Sequence, residues 1–304
     1  MVKTVLITGA TGLIGKRLTH LLLSNGYTVH SLSRKAIPDE PGIKTFLWNP
    51  ERGTIDEKCL KNVEAVIHLA GEGIAAKPWT KLRKQQIIKS RTDTIRLLYK
   101  AIRSHPSSVN TVISASAVGY YGDRGNELLA EGSRPGNDFM AQTCIAWENA
   151  VNEGKALNLR VIKLRTGMVL SKEGGALPQL AAPVRLGLGT VLGSGEQWVP
   201  WIHLDDVVSM YLFVLENNEA RGTFNQTAPH PVTNKEFTTT LARKLKRPLW
   251  LPKVPAFALR LILGEMKAVV LSSTKTSAGK ITDLGFQFQY SRLDEALKNL
   301  YDRK

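Results

Sequence analysis

Three glycines and an arginine are the residues whose types and spacing first suggest chemistry. Gly9, Gly12 and Gly15, in ITGATGLIGKRL, follow an apolar run directly and open a stretch with helical spacing. Such a loop turns tightly, lets the backbone approach a pyrophosphate, and aims a helix N-terminus at its charge. A glycine triplet alone is a weak signal, but a strand before it, a helix after it and a second strand beyond make it specific. At the end of that second strand, where an NAD site holds the ribose hydroxyls with Asp or Glu, stand Ser33, Arg34 and Lys35. A carboxylate there would repel a 2′-phosphate. Arg34 can grip one with paired, charge-assisted hydrogen bonds, and Ser33 can add a donor. One such bond contributes roughly 1.5–3 kcal/mol, a preference of about one to two decades, so the pattern predicts NADP(H).

These residues need a sheet to position them. KTVLIT, YTVHSLS, KTFLW, EAVIHLA, NTVISAS and LRVIKLR are short, rich in Val and Ile, and bounded by polar residues or glycine, which predicts buried strands. Between them, residues 13–25, 78–103 and 138–156 carry helical spacing, with Leu13, Leu18, Leu21 and Leu22 as the first apolar stripe. The alternation predicts an α/β fold, a Rossmann doubly wound parallel sheet, with ligands at the carboxyl ends of its strands. After residue 170, glycine and proline become frequent and the elements mix, ending in a helix from Arg292 to Leu300. The expected organisation is an NADP-binding domain over residues 1–170, with contributions from about 200–228. A smaller mixed α/β C-terminal lobe over residues 171–304 would then close on the sheet edge.

Composition narrows the class. The 304 residues are 43% hydrophobic and 22% charged, with a mean hydropathy of −0.13, as in ordinary globular chains. Cys59 and Cys144 form neither a disulfide framework nor a metal-ligand spacing, which fits a reducing compartment and no metal. The N-terminus does not read as a signal peptide, and VPAFALRLILG, broken by Arg260, reads as a packed helix rather than a membrane span. The chain is therefore expected to be cytoplasmic, with no membrane partner. The net charge of +15 is uneven, with nine basic residues against Asp93 alone between Lys77 and Arg103. No nucleic-acid motif accompanies that run, so it reads as a solvated helix face near an anionic ligand, with no nucleic acid as partner.

GATGLIG, HLAG at 68–71, SASAVGYYG and WIHLDDVV at 201–208 resemble the extended short-chain dehydrogenases/reductases, the group of nucleotide-sugar epimerases. A narrower match covers nearly the whole chain. SRK at 33–35, LAGEGI at 69–74, IKSR at 88–91, RLGLG with GSGEQWVPWIHLDD, and ITDLGFQFQY resemble an NADP-binding, epimerase-like subfamily, some of whose members carry a cell-division-inhibitor label. The resemblance implies a dinucleotide on Gly9, Thr11, Gly12, Leu13, Ile14 and Gly15, and its adenosine phosphate on Ser33 and Arg34. It implies an adenine side at Leu69, Ala70 and Gly71, a helix contact from Arg91 with Gln86 sharing its wall, and Met168 and Val169 beside the nicotinamide.

In that wider family a serine and a Tyr-x-x-x-Lys pair do the chemistry. The lysine lowers the tyrosine pKa, and the tyrosine exchanges a proton with the substrate. Alignment on Glu148 puts Met140 and Cys144 at those two positions, and no Tyr-x-x-x-Lys occurs anywhere in the chain. Loss of a positioned general acid typically costs about 10²–10⁴ in rate. A cysteine among apolar helix residues is more often inert packing than a catalyst. Ser116 matches the family serine, and Tyr120 or Tyr121 offers a replacement acid, with wall packing as the alternative for either ring. His203 and Asp206 read as ties between lobe and sheet. Two functions follow: an oxidoreductase or epimerase with a rearranged acid, acting on a nucleotide sugar or other carbonyl compound, or a protein that senses NADP(H) and acts through a partner. The helices at 78–103 and 138–156 pair subunits in many members of the wider family, so a homodimer is also implied.

Overall fold

In a computed structural model, residues 3–302 are described. The apolar runs form strands β1 (Thr4–Thr8), β2 (Thr28–Ser33), β3 (Ile43–Asn49), β4 (Thr54–Ile55), β5 (Val63–His68), β6 (Thr111–Ala117), β7 (Arg160–Thr166), β8 (Met168–Leu170), β9 (Trp201–His203) and β10 (Gly222–Gln226). Eight of them make one sheet in the order β10-β7-β6-β5-β1-β2-β3-β4. All neighbours are parallel except β4, which turns back antiparallel on β3. β8 and β9 pair separately in parallel.

The strand order reverses at β1, whose two neighbours are β2 and β5, and the crevice of a doubly wound sheet opens at that switch point. The register carries Thr8 opposite Leu32 on one side and His68 on the other, so the loops after β1, β2 and β5 meet there.

Helices cover both faces. α1 (Leu13–Ser24) packs with α5 (Leu204–Glu216) on one side, around Leu18, Leu22, Val207, Met210 and Tyr211. α2 (Lys81–Ser104) and α3 (Phe139–Asn152) cover the other, around Ile95, Leu98, Trp147 and Val151. Side-chain caps start these two helices: Thr80 accepts from Arg83 N at 3.1 Å and Asp138 from Ala141 N at 2.8 Å. A third core, with Leu177, Trp201, Phe237 and Leu297, joins α4 (Ala176–Arg185), α6 (Asn234–Lys244) and the C-terminal helix Leu293–Tyr301.

Asp206 ties α5 to the segment before the C-terminal helix, while the bond His203 makes is a local cap on α5. His203 Nδ1 accepts from Asp205 N at 3.1 Å at the head of α5, and the Asp206 carboxylate takes Gln289 N at 2.7 Å and Tyr290 N at 3.1 Å. One expectation fails. VPAFALRLILG does form a helix, α7 (Ala256–Leu263), but it is not packed: only Leu259 is buried. Hydropathy reports a preference for leaving water; it does not report whether a neighbour exists to cover the side chains.

Candidate cofactor and active site

The glycine loop is held tight by its own backbone. Gly9 has φ +73°, and a Cβ there would lie 3.1 Å from the backbone of Leu69 and Ala70, so glycine lets β1 close on the loop after β5. At Gly15 a Cβ would sit 2.2 Å from Gly9 O, which leaves room only for hydrogen between α1 and the loop. Gly12 is the N-cap of α1 and supplies no side chain, and no acidic residue lies in the first turn. The N–H groups of that turn therefore keep their capacity for an external anion. Thr11 and Gly12 are exposed, Leu13 and Ile14 half-buried. Leu13 leans on Gly174 and Gly175, which brings the loop after β8 to the same opening.

At the end of β2 the Arg34 side chain is 73% exposed and 4.0 Å from the Glu72 carboxylate. Ser33 Oγ accepts from Lys35 N at 3.1 Å. Glu72 is held more firmly by buried Arg83, whose Nη1 donates to it at 3.1 Å and whose Nη2 donates to Gly73 O at 2.9 Å.

Arg91 stands behind the same loop. Its guanidinium donates to Ile87 O at 2.9 Å and Glu72 O at 3.0 Å, and a Cβ on Gly71 would meet it at 3.2 Å. Ser90 adds a bond from Glu72 N at 3.0 Å. Gln86 is exposed and is hydrogen-bonded to none of these. Five residues carry the helix about 140° around, so Gln86 and Arg91 point apart. Met168 and Val169, in β8, are half-buried beside β9, with Met168 N donating to Pro200 O at 2.7 Å.

A polar chain beneath the loop ties three elements together. Thr8 Oγ accepts from Leu69 N and Ala70 N, both at 3.1 Å, which turns its hydroxyl proton toward His68 Nδ1 at 2.9 Å. Thr94 gives its proton to Ser90 O at 2.8 Å and accepts from His68 Nε2 at 3.2 Å. The imidazole is fully buried and neutral, its pKa pushed down to about 4 by burial.

The other end of the crevice holds Ser116, Tyr120 and Tyr121. Ser116 Oγ donates to Glu148 Oε1 at 2.8 Å. Glu148 also takes Arg165 in a fork, at 2.7 and 3.0 Å, with Lys163 Nζ at 3.4 Å. Burial alone would push the Glu148 carboxyl up, but the Arg165 pair overcomes it, with help from Lys163 and Ser116, and holds it ionised below the usual range. Tyr121 is fully buried; its hydroxyl donates to Asn225 Oδ1 at 2.6 Å and accepts from Arg165 at 3.0 Å. Burial raises that phenol to about 12. Tyr120 is half-buried, its ring lies 3.4 Å from the Arg165 guanidinium, and its hydroxyl has no protein partner among the described residues. Met140 and Cys144 pack side by side against Gly119, and burial pushes the Cys144 thiol up to about 12.

Thr8, Thr94, Glu72, Arg83, Lys163 and Arg165 were not singled out from sequence. A signal existed for the last two. Lys and Arg alternating inside LRVIKLR, a strand read as buried, demand an acid nearby, and Glu148 supplies it.

Residues 5–226 match the model of the NAD dependent epimerase/dehydratase family. The chain belongs to that family. Residues 254–300 match a domain of unknown function, DUF1731. The chain is 36% identical over 302 residues to Epimerase family protein YfhF of Bacillus subtilis (strain 168), covering 99% of both chains. It is 37% identical over 294 residues to Epimerase family protein MT2273 of Mycobacterium tuberculosis, covering 96% of both. Among solved structures it superposes on human epimerase family protein SDR39U1 (isoform 2) with NADPH, with a TM-score of 0.86 and 30% identity, over 99% of this chain and all of that one.

Proposed function

We propose that this chain is an NADP(H)-dependent oxidoreductase or epimerase for a small carbonyl or hydroxyl compound, a nucleotide sugar being one candidate class. The observation that carries the reading is Arg34, exposed and unengaged beyond a loose contact with Glu72, at the strand end where an adenosine 2′-phosphate falls. NADPH in the human relative supports the same choice for this family member. Gly9 and Gly15 fit a dinucleotide loop, since a side chain at either would collide with neighbouring backbone and open the tight turn. Leu13 and Ile14 would donate to its pyrophosphate beside Gly12, whose own N–H is taken by Gly9 O at 3.0 Å; Arg34 and Ser33 would hold its 2′-phosphate, and Leu69, Ala70 and Gly71 would line the adenine side. Met168 and Val169 would border the nicotinamide. The bound cofactor supplies hydride exchange.

The chain's own contribution to chemistry is a proton and an oriented substrate oxygen. Ser116 and Tyr121 have their hydroxyl protons committed to Glu148 and Asn225. Tyr120 is then the residue we assign as proton donor, its ring fixed on Arg165 and its hydroxyl open to a ligand. Ser116 retains lone pairs and would accept from a substrate hydroxyl.

A second reading has its own support. The resemblance puts Met140 and Cys144 at the positions of the usual pair; a thioether carries no exchangeable proton, and burial raises the Cys144 thiol to about 12. In that reading NADP(H) is sensed, and a partner responds. The two separate in one experiment: anaerobic incubation with NADPH deuterated at C4, (4R) and (4S) in turn, and a panel of carbonyl compounds and nucleotide sugars. Label entering a product, and lost in a Tyr120→Phe variant that still binds NADPH, is the expected result. Tight NADPH binding with no label moving across the panel would give the assignment to sensing.

A further inference from the structure

Several large exposed apolar side chains that the crevice does not explain lie on α7 and the segments framing it. In AFALRLIL, Leu261 is 83% exposed, Ile262 77% and Phe257 69%; just upstream, Trp250 is 69% exposed. The preceding strap is laced to residues 186–193, since Val254 N donates to Val191 O at 3.0 Å and Gly193 N to Val254 O at 2.8 Å. That neighbouring strap exposes Leu186 and Leu188. Isolated apolar side chains on a surface need no explanation, but a set of this size on adjoining segments marks a binding face.

Its charge selects the occupant. Residues 183–193 and 246–271 contain Arg185, Lys246, Arg247, Lys253, Arg260 and Lys267 against one acid, Glu265. Glu265 is already neutralised by an ion pair with Lys84 of α2. A second copy of the chain seated on this face would press these cations against their own kind. A nucleic acid would match the charge but gives aliphatic Leu261 and Ile262 no favourable burial. Phe257, Leu261 and Ile262 spread over about 140° of the helix rather than forming one narrow stripe for a groove. Apolar side chains and a tryptophan on segments that also carry these Lys and Arg residues suit the boundary between headgroups and acyl chains.

We infer that this face docks the protein on an anionic lipid bilayer. The contact is peripheral, since among the described residues no helix is long and apolar enough to cross a membrane. It departs from the expectation of no membrane partner, which weighed spans and not surfaces.

The test is sedimentation of the full chain with vesicles of phosphatidylcholine alone or mixed equally with phosphatidylglycerol, at low and high salt. The expected result is binding to the mixed vesicles only, weakened by salt, with Trp250 emission shifting to the blue relative to Trp250→Phe. A Leu261→Glu/Ile262→Glu variant should partition roughly tenfold less or worse, because two apolar anchors become anions. Both sites are exposed, so its melting temperature and NADPH affinity should match the parent. Absence of binding to the mixed vesicles overturns the proposal, as does equal binding by the variant. A solution dimer that the variant abolishes would give the face to a second copy and also overturn it.

Discussion

At the Gly9–Gly15 end of the crevice, the first turn of α1 carries no side-chain cap and Arg34 extends into solvent. At the Ser116 end, Ser116, Glu148, Arg165, Tyr121 and Asn225 are bonded to one another in an unbroken chain. The first region has donors waiting for an anion. The second has its donors matched internally, and only the Tyr120 hydroxyl stands apart. A binding site must keep groups unsatisfied until the ligand arrives, and a structural knot must not. Under the proposed function, the contrast separates recognition of the cofactor, which would be built in, from the chemistry, which would rest on one phenol.

The sharpest way to break this contrast is at the knot. Glu148→Gln removes the one anion that balances buried Arg165 and Lys163. Leaving buried charge unpaired typically costs about 3–5 kcal/mol, the largest effect expected of any single change here. Denaturant unfolding monitored by circular dichroism would read it directly. A loss under about 1 kcal/mol would mean that water reaches the cluster and that it is less closed than its burial implies. NADPH affinity of the folded variant should hardly change, because the knot and the glycine loop share no partner.

The same contrast governs what was legible in the sequence. Strand and helix periods are local, so the order of elements, the glycine loop and Arg34 could all be read from short windows. Partners across the sheet are not local. Glu148 and Arg165 are 17 positions apart, and Tyr121 and Asn225 are 104 apart. Tyr120 and Tyr121 are adjacent in a single 3₁₀ turn, Val118–Tyr121, where one residue of phase decides which ring is buried. No periodicity argument resolves that choice. Gln86 and Arg91 are close along α2 but about 140° apart around it, and closeness along a helix is not closeness around it. The exposure of α7 is illegible for a different reason: what covers an apolar helix lies in other segments, or in another molecule.

His68 offers a test on the recognition side that ligand-free protein can answer. Its pKa falls to about 4 in the fold, through burial, from about 6.5 in an unfolded chain. Between those values the unfolded chain binds more protons, so stability is complete above about pH 6.5 and declines as pH falls toward 4. The decline attributable to this group is on the order of 3 kcal/mol. Melting curves of the parent and His68→Asn across that window should converge as pH drops, since the variant has no imidazole to protonate. Parallel curves would show that His68 titrates normally and that the Thr8–His68–Thr94 chain does not depend on a neutral ring.

The smallest effect, and the one that most sharpens the contrast, is at Arg34. Its side chain is in solvent, so Arg34→Glu should leave the melting temperature unchanged. Binding is another matter. The substitution removes a fork that matches a phosphate and sets a carboxylate where it repels one, while remaining able to accept from ribose hydroxyls. NADPH should bind about ten- to a hundredfold more weakly, with NADH little affected or improved. Calorimetric titration of both nucleotides into both proteins measures the switch. Arg83, which already neutralises Glu72, is a cation that α2 adds near the phosphate position. If Arg34→Glu leaves NADPH affinity where it was, the phosphate is gripped from the α2 side instead, and Arg83→Met should then produce the loss that Arg34→Glu did not.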